Sequence, residues 1–179
     1  MNNKVTYNGL TFKPYITEEQ IAARIAEIGA QITEEFRGRN PLLICVLNGA
    51  FPFAADLFRR IDTDAEITFV RFKSYDGMAS TGQVRQVMGL QENIEGRPVI
   101  VVEDIIDSGH TIVQLLETLG HSNPSDLKVA TLLFKPDSLK HTVKPDYVGF
   151  SIKPDFIIGF GLDLDGKARN LRDIYVLDN

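Results

Sequence analysis

The chain has 179 residues, 44% of them hydrophobic, with one cysteine and a formal net charge of -5. That length suits one domain that buries about 70% of its unfolded surface, so no disulfide or metal staple is needed to support a core. The acidic balance argues against a broad nucleic-acid surface, and the absence of an apolar h-region or of a run of about 18 apolar residues argues against a signal peptide and a membrane span.

Thr17-Glu18-Glu19-Gln20 has the form of a capping box, and Ile21, Ile25, Ile28, Ile32 and Phe36 follow on one helical stripe. This predicts a first helix ending near Gly38. An apolar run at 42–47 reads as a strand and holds the lone cysteine, Cys45, as a small core residue, which points to a reducing compartment. Further strands are expected at 67–72, 99–102 and 129–134, with helical patterns at 53–59 and 111–119 between them. Such alternation means parallel strands joined by crossover helices. The stretch 74–93 has no periodic apolar pattern, and a loop of that length in a compact domain is usually functional or disordered. After residue 140 the character changes, with short strands expected at 147–152, 156–160 and 174–177 as a lobe over the carboxyl edge of the sheet.

The most informative segment is Val-Ile-Val-Val-Glu-Asp-Ile-Ile-Asp-Ser-Gly-His-Thr, residues 99–111. The β-branched run has the composition of a strand covered on both faces, so Glu103 and Asp104 fall at its carboxyl end, where open α/β sheets bind ligands. The turn Asp107-Ser108-Gly109-His110-Thr111 then opens a helix, and backbone N–H groups converging at a helix N-terminus hold phosphate. Carboxylates beside a phosphate cradle suit a sugar phosphate, because they accept hydrogen bonds from vicinal hydroxyls and share a hard cation with them.

This segment closely resembles the phosphoribosyl pyrophosphate (PRPP) signature of type I phosphoribosyltransferases, and nearly the whole chain is similar to the hypoxanthine-guanine phosphoribosyltransferase family. The resemblance implies one α/β domain over 1–179, a mostly parallel sheet flanked by helices (about 15–140) with a small hood (about 141–179 plus the N-terminal segment). It implies that Glu103 and Asp104 bind the ribose hydroxyls directly or through Mg²⁺, that Asp107 lies near purine N7 as the catalytic carboxylate, and that Ser108, Gly109, His110 and Thr111 form the 5′-phosphate loop. Many relatives carry Lys or Arg at position 110, so less fixed positive charge is expected here and phosphate affinity is expected to depend on pH.

By the same resemblance, Asn48 and Gly49 bind pyrophosphate with Arg169, and the Leu47–Asn48 peptide is a candidate for the cis form. Lys is common where this chain has Asn48. Ser74 and Tyr75, with Ser80-Thr81-Gly82, match a mobile lid. Lys144 is placed at the purine 6-oxo group, Phe156 against the ring, the Ile157 backbone at the Watson–Crick edge, and Asp163 near the purine and a second Mg²⁺. Alone, Lys144 would read as a surface lysine and Phe156 as a core aromatic.

The implied activity is purine salvage: transfer of 5-phosphoribosyl from PRPP to hypoxanthine or guanine, giving IMP or GMP and pyrophosphate, in a cytoplasmic homodimer or homotetramer with no nucleic-acid or membrane partner. A xanthine-preferring enzyme and a non-catalytic PRPP-sensing regulator on the same fold are the alternatives.

Overall fold

The computed structural model describes residues 4–73 and 85–178. In chain order the elements are β1 (Val5–Tyr7), β2 (Leu10–Ile16), α1 (Glu18–Glu35), β3 (Leu42–Leu47), α2 (Phe51–Phe58), β4 (Glu66–Lys73), β5 (Arg85–Met88), β6 (Pro98–Ile106), α3 (His110–Gly120), β7 (Asp126–Phe134), a 3₁₀ turn (Pro136–Ser138), β8 (Tyr147–Ser151), β9 (Ile157–Ile158) and β10 (Ile174–Leu177). Two sheets result. The larger runs β5-β4-β3-β6-β7-β8, with β5 antiparallel to β4 and the other pairs parallel; the smaller is antiparallel, in the order β1-β2-β10-β9.

Helix α1 starts where the capping box directs it: Thr17 accepts from the Gln20 N–H and the Gln20 side chain accepts from the Thr17 N–H. Its stripe of Ile21, Ile25, Ile28 and Ile32 is buried against α2 and one face of the sheet, where Leu43, Cys45, Ile100 and Val102 point. The alternate residues Leu42, Ile44, Val46, Val99 and Val101 face the other way and pack under Ile112, Leu115 and Leu119 of α3. Strands covered on both sides must be apolar at every position, which explains their unbroken runs. Burying each such side chain contributes about 1.5–3 kcal/mol. Cys45 is fully buried, and burial pushes its thiol up to about 12, as suits a packing residue.

The structure revises three expectations. Tyr147–Ser151, read as part of the hood, is instead the edge strand of the main sheet, parallel to β7. Arg24 on α1 fastens it there by donating to the carbonyls of Val148 (2.7 Å) and Gly149 (3.0 Å). The strand expected at 99–102 runs on to Ile106, carried by pairing with β7. A short hairpin, β1–β2, was not anticipated; Asn8 and Gly9 both take positive φ, as its two-residue turn requires.

Tyr147 is buried, and its hydroxyl donates to Glu35 at the end of α1, which Lys128 also approaches at 3.1 Å. The Tyr147 hydrogen bond, followed by Lys128, holds the Glu35 carboxyl below its ordinary range. Tyr147→Phe should therefore lower stability by about 1 kcal/mol at neutral pH. Because the folded-state value is depressed, this contribution is present above the unfolded carboxylate value of about 4.3 and is lost as pH falls through the folded value. Urea unfolding of both proteins between pH 7 and pH 3 should show the gap closing only at the acid end.

Candidate active site

The strands themselves make the crevice. β3 pairs with β6 only from Leu42↔Val99 to Cys45↔Val102, whereas β6 stays on β7 through Ile106↔Phe134. From β3 the chain crosses to β4 on one side, and β6 lies on the other, so the gap beyond the ends of β3 and β6 is a topological switch point. Asn48 and Gly49 enter it from β3, and Glu103 and Asp104 enter it from β6. The Leu47–Asn48 peptide is cis and Asn48 is exposed.

Gly49 is wedged between two partners. A Cβ on it would overlap the Asp104 carboxylate, and a Cβ on Gly161, which has φ +97°, would overlap the Gly49 carbonyl oxygen. Gly161 belongs to the hood segment after β9 and is held by Arg169: the Arg169 guanidinium donates to the Gly161 carbonyl (2.6 Å), while the Gly161 N–H donates to the Arg169 carbonyl (2.9 Å). Arg169 also pairs with Asp163 at 2.7 Å, and the second Asp163 oxygen accepts from the Gly166 N–H at 2.7 Å. Asp104, Gly49, Gly161, Arg169 and Asp163 thus form one chain of contact from sheet to hood.

Glu103 is buried, and its carboxyl is pushed well above the usual range, first by burial and then by the charge of Asp104. Asp104 is pushed up to about 6 by burial, with the Ile105 N–H and Arg169 pulling it back. Neighbouring carboxyls strained in this way are relieved by a cation or hydroxyl donors. Among the described residues no group of three or more His, Cys, Asp or Glu side chains could hold a metal unaided. A hard cation at the oxygen ligands Glu103, Asp104 and Asp163 would have to take most of its coordination from water and substrate.

Asp107 lies one residue beyond β6, and half of its side chain is exposed. Ser108, Gly109, His110, Thr111, Glu103 and Asp107 line a cavity of ≈ 130 Å³ at the N-terminus of α3. Gly109 is the N-cap in the left-handed conformation, with no side-chain cap of its own; the His110 N–H donates to the Ser108 hydroxyl at 3.4 Å, and the remaining first-turn N–H groups lie at this end of the helix. The most informative contact was missed in the sequence: Lys135, buried, donates to Asp107 at 2.9 Å. The register explains it, because Ile106 pairs with Phe134 and the next residues of the two strands, Asp107 and Lys135, come out side by side. Applying the strand-end rule to β7 as well as to β6 would have found it.

Lys144, by contrast, is exposed ahead of β8 and makes no side-chain hydrogen bond or ion pair among the described residues. Phe156 is 45% exposed, leans on Phe12 with ring centroids 6.0 Å apart, and immediately precedes buried Ile157. An aromatic left this open offers a stacking face. The lid expected at Ser74 and Tyr75 lies outside the described residues.

A sheet switch point carrying adjacent carboxylates, a cavity at a helix N-terminus and a hood tied to the crevice floor defines a class of ligand-binding α/β proteins. The family model described as "Phosphoribosyl transferase domain" matches residues 15–165, and the chain belongs to that family. It is 43% identical over 166 residues to the hypoxanthine-guanine phosphoribosyltransferase of Streptococcus thermophilus, covering 92% of each. Among solved structures it is similar to a hypoxanthine-guanine phosphoribosyltransferase from Bacillus anthracis (TM-score 0.87, 41% identity, 93% of this chain and 97% of that one). It is also similar to the hypoxanthine phosphoribosyltransferase of Trypanosoma cruzi in complex with IMP (TM-score 0.88, 35% identity, 97% of each).

Gly49→Ala should displace the Asp104 carboxylate or the Gly161 loop, since the space for a Cβ is already filled. The expected result is a fall in kcat/KM of roughly 10²-fold or more. Steady-state kinetics checks this, with circular dichroism showing whether the fold survives.

Proposed function

We propose that this protein joins hypoxanthine or guanine to the ribose of PRPP, releasing pyrophosphate and forming IMP or GMP in purine salvage. The observation that carries the reading is the Lys135–Asp107 contact beside the α3 cavity, because it sets a donor-only cation and an acceptor carboxylate where a 6-oxopurine reacting at C1 of the bound sugar phosphate needs them.

In this reading the 5′-phosphate occupies the Ser108–Thr111 cavity, the ribose hydroxyls meet Glu103 and Asp104, and pyrophosphate meets the Asn48–Gly49 turn and Arg169. The purine lies on Phe156 with its edge along the Ile157 backbone. Lys135, rather than Lys144, donates to the 6-oxo oxygen; an ammonium cannot accept from an exocyclic amine, so adenine is disfavoured. As the C1–oxygen bond to pyrophosphate breaks and the N9–C1 bond forms, Asp107 takes the proton that the base sheds and offsets positive charge on the ring. Glu103, Asp104 or Asp163 would hold Mg²⁺ together with substrate oxygens, and the ion would supply positive charge to offset that of pyrophosphate. Among the described residues no helix is long and apolar enough to cross a membrane; with the buried free thiol this supports a cytoplasmic enzyme, which we take to be a homodimer or homotetramer.

A steady-state assay with PRPP, Mg²⁺ and each of hypoxanthine, guanine, xanthine and adenine tests the reading: turnover is expected with the first two, and adenine as the best substrate would overturn it. Asp107→Asn should lower kcat by roughly 10²-fold with a smaller effect on the KM for PRPP. Lys135→Ala should cut kcat/KM for hypoxanthine by roughly 10²-fold or more and narrow discrimination against adenine, whereas Lys144→Ala should stay close to wild type. The reverse pattern would restore Lys144 to the base subsite.

A further inference from the structure

Two imidazoles meet at the rim of the α3 cavity. His110 is the first residue of α3, and His141 comes from the loop 139–143. That loop is fastened over the phosphate turn: the Lys140 N–H donates to the Ser108 carbonyl at 2.9 Å, and the space beside Gly109 is filled by Val143, the His141 carbonyl and Leu139. His110 Nδ1 and His141 Nε2 are 3.3 Å apart, with ring centroids 5.2 Å apart and planes inclined at 44°. At that separation one ring donates N–H and the other accepts, so a single proton is shared between them.

We propose that His110 and His141 together form a proton-loaded clamp for the substrate's 5′-phosphate, with His141 a specificity-determining residue supplied from outside the phosphate turn. The inference rests on the reading that the α3 cavity holds that phosphate. The turn itself carries no Lys or Arg, so its fixed attraction for a dianion is limited to backbone N–H groups and hydroxyls. Adding a proton to the pair leaves an imidazolium donating to an imidazole, a charge-assisted bond that keeps both rings in place and puts a positive charge beside the anion. A phosphate dianion favours that charged state, so binding takes up a proton. By linkage, affinity for PRPP is highest where the pair carries the extra proton and falls as rising pH removes it.

The other ionisable groups on the elements that meet here are Glu103, Asp104 and Asp107 at the end of β6, Lys135 and Asp137 after β7, Lys140 and Lys144 flanking His141, and Glu117 on α3. Asp107 is taken up by Lys135. Burial raises Glu103 and Asp104, but their response is common to wild type and the histidine variants, so the contribution of the pair is the part of the pH dependence that His141→Leu removes.

The test is the KM for PRPP and kcat measured from pH 6 to pH 8.5 for wild type, His141→Leu, His110→Lys and Thr111→Val, with hypoxanthine saturating. Wild type should show KM rising by roughly tenfold across the upper part of this range while kcat changes little. His141→Leu should raise KM at pH 6 and flatten the rise, and His110→Lys, with a fixed charge, should give a low KM at every pH. In NMR titrations of wild type, inorganic phosphate should move the midpoint of the His141 ring upward, a shift that a merely structural histidine would not show. Profiles that coincide for wild type and His141→Leu, or a His141 midpoint indifferent to phosphate, would overturn the proposal. Thr111→Val separates the two levels of the argument: it should raise KM at all pH values, and if it does not, the assignment of the phosphate subsite itself fails.

Discussion

The structure depends most on two close approaches to the main chain at Gly49. The Asp104 carboxylate from β6 fills the space where a Gly49 Cβ would sit, and the Gly49 carbonyl fills the space where a Cβ of Gly161, in the hood, would sit. Because the hood contact is backbone to backbone, hood and sheet are set at a spacing that no rotamer change can relax. Arg169 then locks the hood side, since one guanidinium reaches both the Gly161 carbonyl and Asp163. The planar fork of donors holds both at a fixed geometry.

That packing has an electrostatic cost, concentrated where the ligand is expected. Glu103 and Asp104 are adjacent in the chain, and burial raises both carboxyls. Asp107, only three residues on, is half exposed and held by a lysine. One short segment therefore offers two different carboxylate environments: a buried pair that gains by meeting a cation or hydroxyls, and an open carboxylate already paired with an ammonium. The strand accounts for the difference, since β6 is still paired with β7 at Glu103 and has ended by Asp107.

Much of this was legible in the sequence, and the reasons are local. The capping box and isoleucine stripe of α1, the apolar runs of β3, β6 and β7, and the turn opening α3 are each specified within a few residues, and the structure reproduces them with boundaries shifted by at most a few positions. Residues 103–104 and 107–111 stood out because they sit at a strand end, and 48–49 through the resemblance; the structure gathers them at the carboxyl ends of β3 and β6. The β1–β2 hairpin was written as Asn8-Gly9 between short strands but carried too little periodicity to stand out. β8 was misplaced because Tyr147–Ser151 looks the same in sequence whether it pairs with β7 or with the hood. Only the register and the grip of Arg24 decide it, and both are long-range.

Lys135 shows the limit most sharply. As a lone lysine after an apolar run it reads as the first solvated residue of a loop, whereas the resemblance singled out Lys144. Burial of Lys135 is intelligible only once β6 and β7 are aligned in parallel, so that Asp107 and Lys135 leave the sheet together. An ammonium buried this far needs a charged partner, because the desolvation of an unpaired one would exceed what packing returns. The pair is thus a consequence of strand register, and that register is set by apolar residues several positions upstream in the core of the sheet. A buried ion pair in this fold is placed by packing, and it stays hidden in the sequence wherever its two halves come from different strands.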